Sequence, residues 1–118
     1  MEIKIKRIYN TPSASDGTRI LIDRLWPRGL TKAQADLDHW LKELAPSSAL
    51  RKWYNHEPLK YREFQQKYLA ELSEHDSLES FLEFIRPFKT VTLVIAAKDA
   101  ALSNAHVLQQ AIIKRLGV

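Results

Sequence analysis

A chain of 118 residues has room for one hydrophobic core, and its 45% hydrophobic and 27% charged residues mark a folded domain. The absence of cysteine excludes disulfides, thiolate metal sites, iron–sulfur clusters and any cysteine nucleophile; three scattered glycines (Gly17, Gly29, Gly117) exclude a P-loop or a dinucleotide fingerprint. The net charge of +4 is concentrated, because residues 1–32 carry seven basic side chains against three acids while residues 33–118 carry eleven of each.

Residues 3–9 alternate apolar and basic side chains, the pattern of a half-exposed strand whose Lys4 and Lys6 also discourage edge-to-edge pairing. Asn10 to Gly17 is turn chemistry, and residues 18–24 form a second strand, apolar on both faces in its middle. So short a link is unsuited to a parallel crossover, which predicts that the two strands are antiparallel or not neighbours. Trp26-Pro27-Arg28-Gly29 reads as a turn. Thr31 with Gln34 makes a capping box, and Ala33, Leu37, Trp40, Leu41 and Leu44 follow at helical spacing until Pro46, predicting one helix.

Ser47 caps a short helix bearing Leu50 and Trp53, and Pro58 opens a longer one with Tyr61, Phe64, Tyr68, Leu69 and Leu72 on a stripe. Ser77 is expected to cap a further helix with Leu78, Phe81, Leu82 and Ile85 inward, stopped by Pro87. Residues 90–96 are strand-favouring and apolar on both sides, as a central strand between two layers would be. Ser103 or Asn104 then caps a last helix that Gly117 closes. The sum is a single three-layer α/β domain over residues 1–118, with a mixed sheet of three or four strands flanked by helices. The longest apolar runs are too short to span a bilayer and no secretory leader pattern opens the chain, so a cytoplasmic protein with no membrane partner is expected.

In open α/β sheets ligands gather beyond the carboxyl ends of the strands. Two segments fall there: Asp23 to Gly29 after the second strand, and Lys98-Asp99 to Asn104 after the last. A charge beside a buried strand needs a partner, so Asp23 either ties the loop down or orients Arg24 and Arg28 toward an anion. It is also the one carboxylate placed to act as a general base. Trp26 is either a lid on the core or a stacking surface, and arginine beside tryptophan suits a nucleotide. Lys98 and the amides near Ser103–Asn104 offer a second anion contact, or only an ordinary helix cap, while Asp99 offers a strand stop. His39, His56, His75 and His106 form no ligand-spaced pair, so neither a metal nor a cofactor is expected.

Asp16-Gly17, the run Arg19-Ile20-Leu21-Ile22-Asp23-Arg24-Leu25-Trp26-Pro27-Arg28-Gly29, Lys32, Trp40, Ala45-Pro46-Ser47 with Leu50 to Trp53, Tyr68, and Leu93 to Asp99 together resemble domain-of-unknown-function family 488 (DUF488), in its short YeaO-like branch. The resemblance covers essentially the whole chain. Longer relatives carry an Asp-Val-Arg-like strand end and a cysteine-bearing loop after the last strand. Asp23-Arg24 matches the first feature, whereas Ala96-Ala97 lacks the second, so the resemblance implies no cysteine chemistry here. Three readings follow for function: a site for a phosphorylated or anionic small molecule built on Asp23, Arg24, Trp26, Arg28, Lys98, Asp99 and Asn104; a nucleic-acid-binding accessory protein using the basic N-terminal third; or a protein-interaction module without a ligand. The sequence leaves the oligomeric state open.

Overall fold

The computed structural model describes all of residues 1–118. Its strands are β1 (Glu2–Arg7), β2 (Thr18–Leu21), β3 (His39–Trp40) and β4 (Thr90–Ile95). Its helices are α1 (Lys32–Ala35), α2 (Ser48–Tyr54), α3 (Tyr61–Ser73), α4 (Ser77–Ile85) and α5 (Asn104–Leu116). They form one sheet in the order β1-β4-β2-β3, every pair parallel. The expected mixed sheet is therefore corrected. β1 and β2 are indeed not neighbours, because β4 lies between them, with Ile5 opposite Leu93 on one side and Ile20 opposite Leu93 on the other. The link from Ile8 to Gly17 is nevertheless a parallel crossover, passing β4 and returning to the starting edge of the sheet through the turn Ala14–Asp16, so the expectation that it is too short for one is corrected.

Alternation divides the sheet's side chains cleanly. Ile3, Ile20, Val91, Leu93 and Ile95 join the main core against α2, α3, α4 and α5. Ile8, Leu21 and Val94 face the other way, under a thinner cover of Ala35, Trp26, Leu30, Leu37 and Trp40. This second face also holds a buried polar group. The Arg19 guanidinium donates to Asp16 Oδ2 at 2.7 Å, to the Ala35 carbonyl at 2.8 Å and to the Asp36 carbonyl at 2.9 Å. Lys6 completes the pair at 3.1 Å from both Asp16 oxygens, and Thr92 Oγ1 donates to the Asp16 carbonyl.

That polar group explains the largest departure from expectation. The capping box at Thr31 and Gln34 is present, yet the helix ends at Ala35 instead of running to Leu44. Asp36 adopts a left-handed conformation (φ 49°), and Arg19 takes the carbonyls that the next helical turn would have used. Asp38 then accepts the Arg19 N–H at 2.7 Å, and the chain enters the sheet as β3. Two smaller corrections concern the helices: Leu69 is 46% exposed, so α3 buries Tyr61, Phe64, Tyr68 and Leu72 without it, and Ser77 is the first residue of α4, its N–H bonded to His75 Nδ1.

Candidate functional site

Parallel strands end on one side, and the segments leaving β1, β2 and β4 together with the end of α2 enclose a cavity of about 770 Å³. This lies within the usual range of small-molecule sites, roughly 300–1,000 Å³. Asp23 is its structural hinge. Oδ2 accepts the Ala96 N–H at 2.8 Å, linking the β2 exit to the β4 exit, and the Asp23 carbonyl accepts Trp40 Nε1 at 2.7 Å. Asn104, at the start of α5, donates to the Ile22 carbonyl at 3.1 Å and reaches Asp23 Oδ1 at 3.5 Å. Burial raises the Asp23 pKa, and the Ala96 amide, Asn104 and nearby His56 only partly offset this.

The cations on the cavity wall are Arg7, Arg24, Arg28, Arg51 and Lys98. Arg24 is tied to the chain, donating to the Pro46 carbonyl at 3.1 Å and the Ala45 carbonyl at 3.3 Å. Arg7, the last residue of β1, stacks on the Tyr9 ring at 4.9 Å, and its Nε is buried with no acceptor. The Tyr9 hydroxyl in turn donates to the Arg28 carbonyl, which joins the β1 exit to the turn after β2.

Trp26 is a wall of the cavity and also a cover for the second face. Its Nε1 donates to the Leu30 carbonyl at 2.8 Å, and its ring meets Trp40 edge-on at 5.5 Å. Asp99 accepts the Ala101 N–H and so starts the turn before α5. Ser103 precedes α5 but directs its hydroxyl to the Ala100 carbonyl instead of capping the helix. Opposite, Asn55 and His56 are both left-handed (φ 48° and 55°), a conformation that costs about 1 kcal/mol or more for a non-glycine residue. This reversal after α2 brings His56 to the cavity.

All seven residues expected at a site (Asp23, Arg24, Trp26, Arg28, Lys98, Asp99 and Asn104) line this one cavity. Arg7, Arg51, Tyr54 and His56 line it too and were not foreseen. Arg7 carries a legible signal: it sits in the apolar row of Ile3 and Ile5, at the point where β1 ends. Arg51 and His56 carry none, since only the placement of α2 brings them in. No three His, Asp or Glu side chains converge as a metal cage.

A family model described as "Inactive DUF488-N3 subclade" matches residues 2–118. The chain is 44% identical to the Escherichia coli K12 protein titled "Uncharacterized protein YeaO" over 108 residues, covering 92% of this chain and 94% of that one. It is 37% identical to "Uncharacterized protein Rv3073c" of Mycobacterium tuberculosis H37Rv over 108 residues, covering 92% and 91%. No solved structure gives a significant match.

Proposed function

This chain belongs to the DUF488 family, and from that premise we propose that it binds a phosphorylated or otherwise anionic small molecule, a nucleotide among the candidates, at the carboxyl ends of its strands. The observation that carries this reading is how the cations are partnered. Lys4, Lys6, Arg19, Lys60, Lys67, Arg86 and Arg115 all form ion pairs. None of these lines the cavity; of the cations without a carboxylate partner, Lys32, Lys42, Lys52, Arg62, Lys89 and Lys114 lie elsewhere, and the other five share the wall of this one cavity. Five cations against the two acids Asp23 and Asp99 leave the wall net positive, and a cleft with such an excess concentrates anions. Arg7, Arg28, Arg51 and Lys98 bind the anion, Asp23 and Arg24 hold the loops in place, and Trp26 supplies an aromatic wall.

The description of the subclade as inactive and the lack of any cysteine both favour binding without turnover. A cytoplasmic setting, rich in phosphate esters, suits the same reading. A nucleic-acid role for the basic N-terminal third is less supported, since Lys4, Lys6, Arg19 and Arg24 are already engaged within the fold.

The test is a thermal-shift screen against nucleotides, sugar phosphates and simple anions, with Arg28→Ala in parallel. A ligand at about 100 times its Kd adds about 2.7 kcal/mol, roughly 10 °C for a chain of this size. A hit lost in Arg28→Ala, at unchanged Tm of the free protein, upholds the reading. Silence across the panel, with tight and salt-sensitive binding to oligonucleotides instead, replaces it with the nucleic-acid role.

A further inference from the structure

Asp23 sets a condition on the ligand that cations alone do not. It shares the cavity with Arg7, Arg28, Arg51 and Lys98, yet it pairs with none of them. Its Oδ2 is occupied by the Ala96 N–H, whereas Oδ1 has only the Asn104 amide at 3.5 Å, the outer limit of a hydrogen bond. Asn104 is itself closer to the Ile22 carbonyl, at 3.1 Å. A carboxylate oxygen of a half-buried residue therefore retains acceptor capacity on a wall where five cations outnumber Asp23 and Asp99.

Three kinds of ligand group meet this wall differently. A second anionic group placed at Asp23 is repelled by it. An ammonium satisfies Asp23 and is repelled by the surrounding cations. A neutral hydroxyl does neither, and donates to Oδ1 in a charge-assisted hydrogen bond. The other end of the ligand is indicated by Arg7, a guanidinium on the cavity wall with no carboxylate partner. Such a group calls for an oxyanion, which a guanidinium fork accommodates well.

Resting on the anion-binding reading, we infer that the ligand is a hydroxylated phosphate ester, of the sugar-phosphate or ribonucleotide class, with a hydroxyl donating to Asp23 and phosphate oxygens held by Arg7 and its neighbouring cations. Asp23 is then a specificity residue as well as the hinge between the β2 and β4 exits.

Isothermal titration of the full chain with ribose 5-phosphate, adenosine 5′-monophosphate and ethyl phosphate tests this. Wild type binds ribose 5-phosphate at least about tenfold more tightly than ethyl phosphate, the worth of one hydrogen bond to a charged group. In Asp23→Asn the Ala96 N–H claims the amide oxygen and a donor replaces the free acceptor. The preference falls to about onefold while the affinity for ethyl phosphate rises, because a repelling charge has gone. A Tm of the free variant near wild type shows that it folds, and if it does not, the wild-type comparison alone decides. Adenosine monophosphate binding more tightly than ribose 5-phosphate assigns the nucleotide class, and equal binding assigns the sugar phosphates. Equal wild-type affinity for ribose 5-phosphate and ethyl phosphate overturns this inference and leaves the anion site standing. So does an Asp23→Asn variant that loses both ligands alike. No binding of any of the three overturns both.

Discussion

Replacing Arg19 by alanine should unfold this protein at a much lower temperature. Arg19 and Asp16 form an ion pair at 2.7 Å with side chains only 4% and 6% exposed. Removing one member of such a pair leaves the other buried and undercompensated, at a cost of about 3–5 kcal/mol. Here the carbonyls of Ala35 and Asp36 also lose their donor, which favours the upper part of that range. With an unfolding entropy of about 2.1 cal/mol/K per residue, each kcal/mol corresponds to about 4 °C at this length, so Tm should fall by about 12–20 °C.

The dependence on pH gives a second handle. Burial pushes the Asp16 carboxyl up, but the Ser13 amide, Lys6 and Arg19 more than reverse this, leaving its pKa lowered. A lowered carboxyl stabilises the fold above its unfolded pKa of about 3.9 and loses that contribution as pH falls through the folded value. The gap between wild type and Arg19→Ala should thus be widest near pH 7 and narrow toward pH 3. Asp23, raised by burial, has the opposite sign, but it is common to both proteins and cancels in the difference. Scanning calorimetry at the two pH values is the assay. A fall in Tm below about 4 °C, or a gap that does not narrow in acid, would refute the reasoning.

Gly17→Ala should cost at least about 2 kcal/mol, measured as a shift in thermal midpoint, since φ is positive there and overpacking adds strain. The physical cause is specific: a Cβ at Gly17 would stand 2.3 Å from the Thr90 carbonyl oxygen. Tyr68→Phe removes a hydroxyl that donates to the Leu44 carbonyl at 2.6 Å in the fully buried core. It should lower stability by about 1–2 kcal/mol in urea titration with an unchanged m-value, and a smaller effect would mean that the carbonyl is satisfied another way.

The central strand and the four helices after residue 46 are legible in the sequence because each depends on local signals: alternation, caps and prolines. The segment 31–45 is not, and the reason is physical. Ala33, Leu37, Trp40, Leu41 and Leu44 read as a helical stripe, but the competitor is Arg19, distant in sequence and bonded to Ala35 and Asp36. Periodicity cannot register a hydrogen bond from another strand. The parallel sense of β1 and β2 was hidden for a similar reason, since nothing local announces that a strand from residue 90 onward separates them. At the site, Asp23 to Arg28 is conspicuous as charge at the end of a buried strand. Arg51 resembles any exposed helix residue until α2 is docked.

The position of β4 bears on how the chain reaches its native state. The strand that touches both β1 and β2 is the last of the four to be made, and until Thr90–Ile95 has left the ribosome the two earlier strands have no partner between them. Non-local pairing of this kind slows folding and leaves open edges exposed in the interim. A chain interrupted before residue 90 therefore has three strands and most of its helices but only the two-residue pairing of β2 with β3 to organise them, and it should be a target for chaperones and proteases instead of a smaller stable domain.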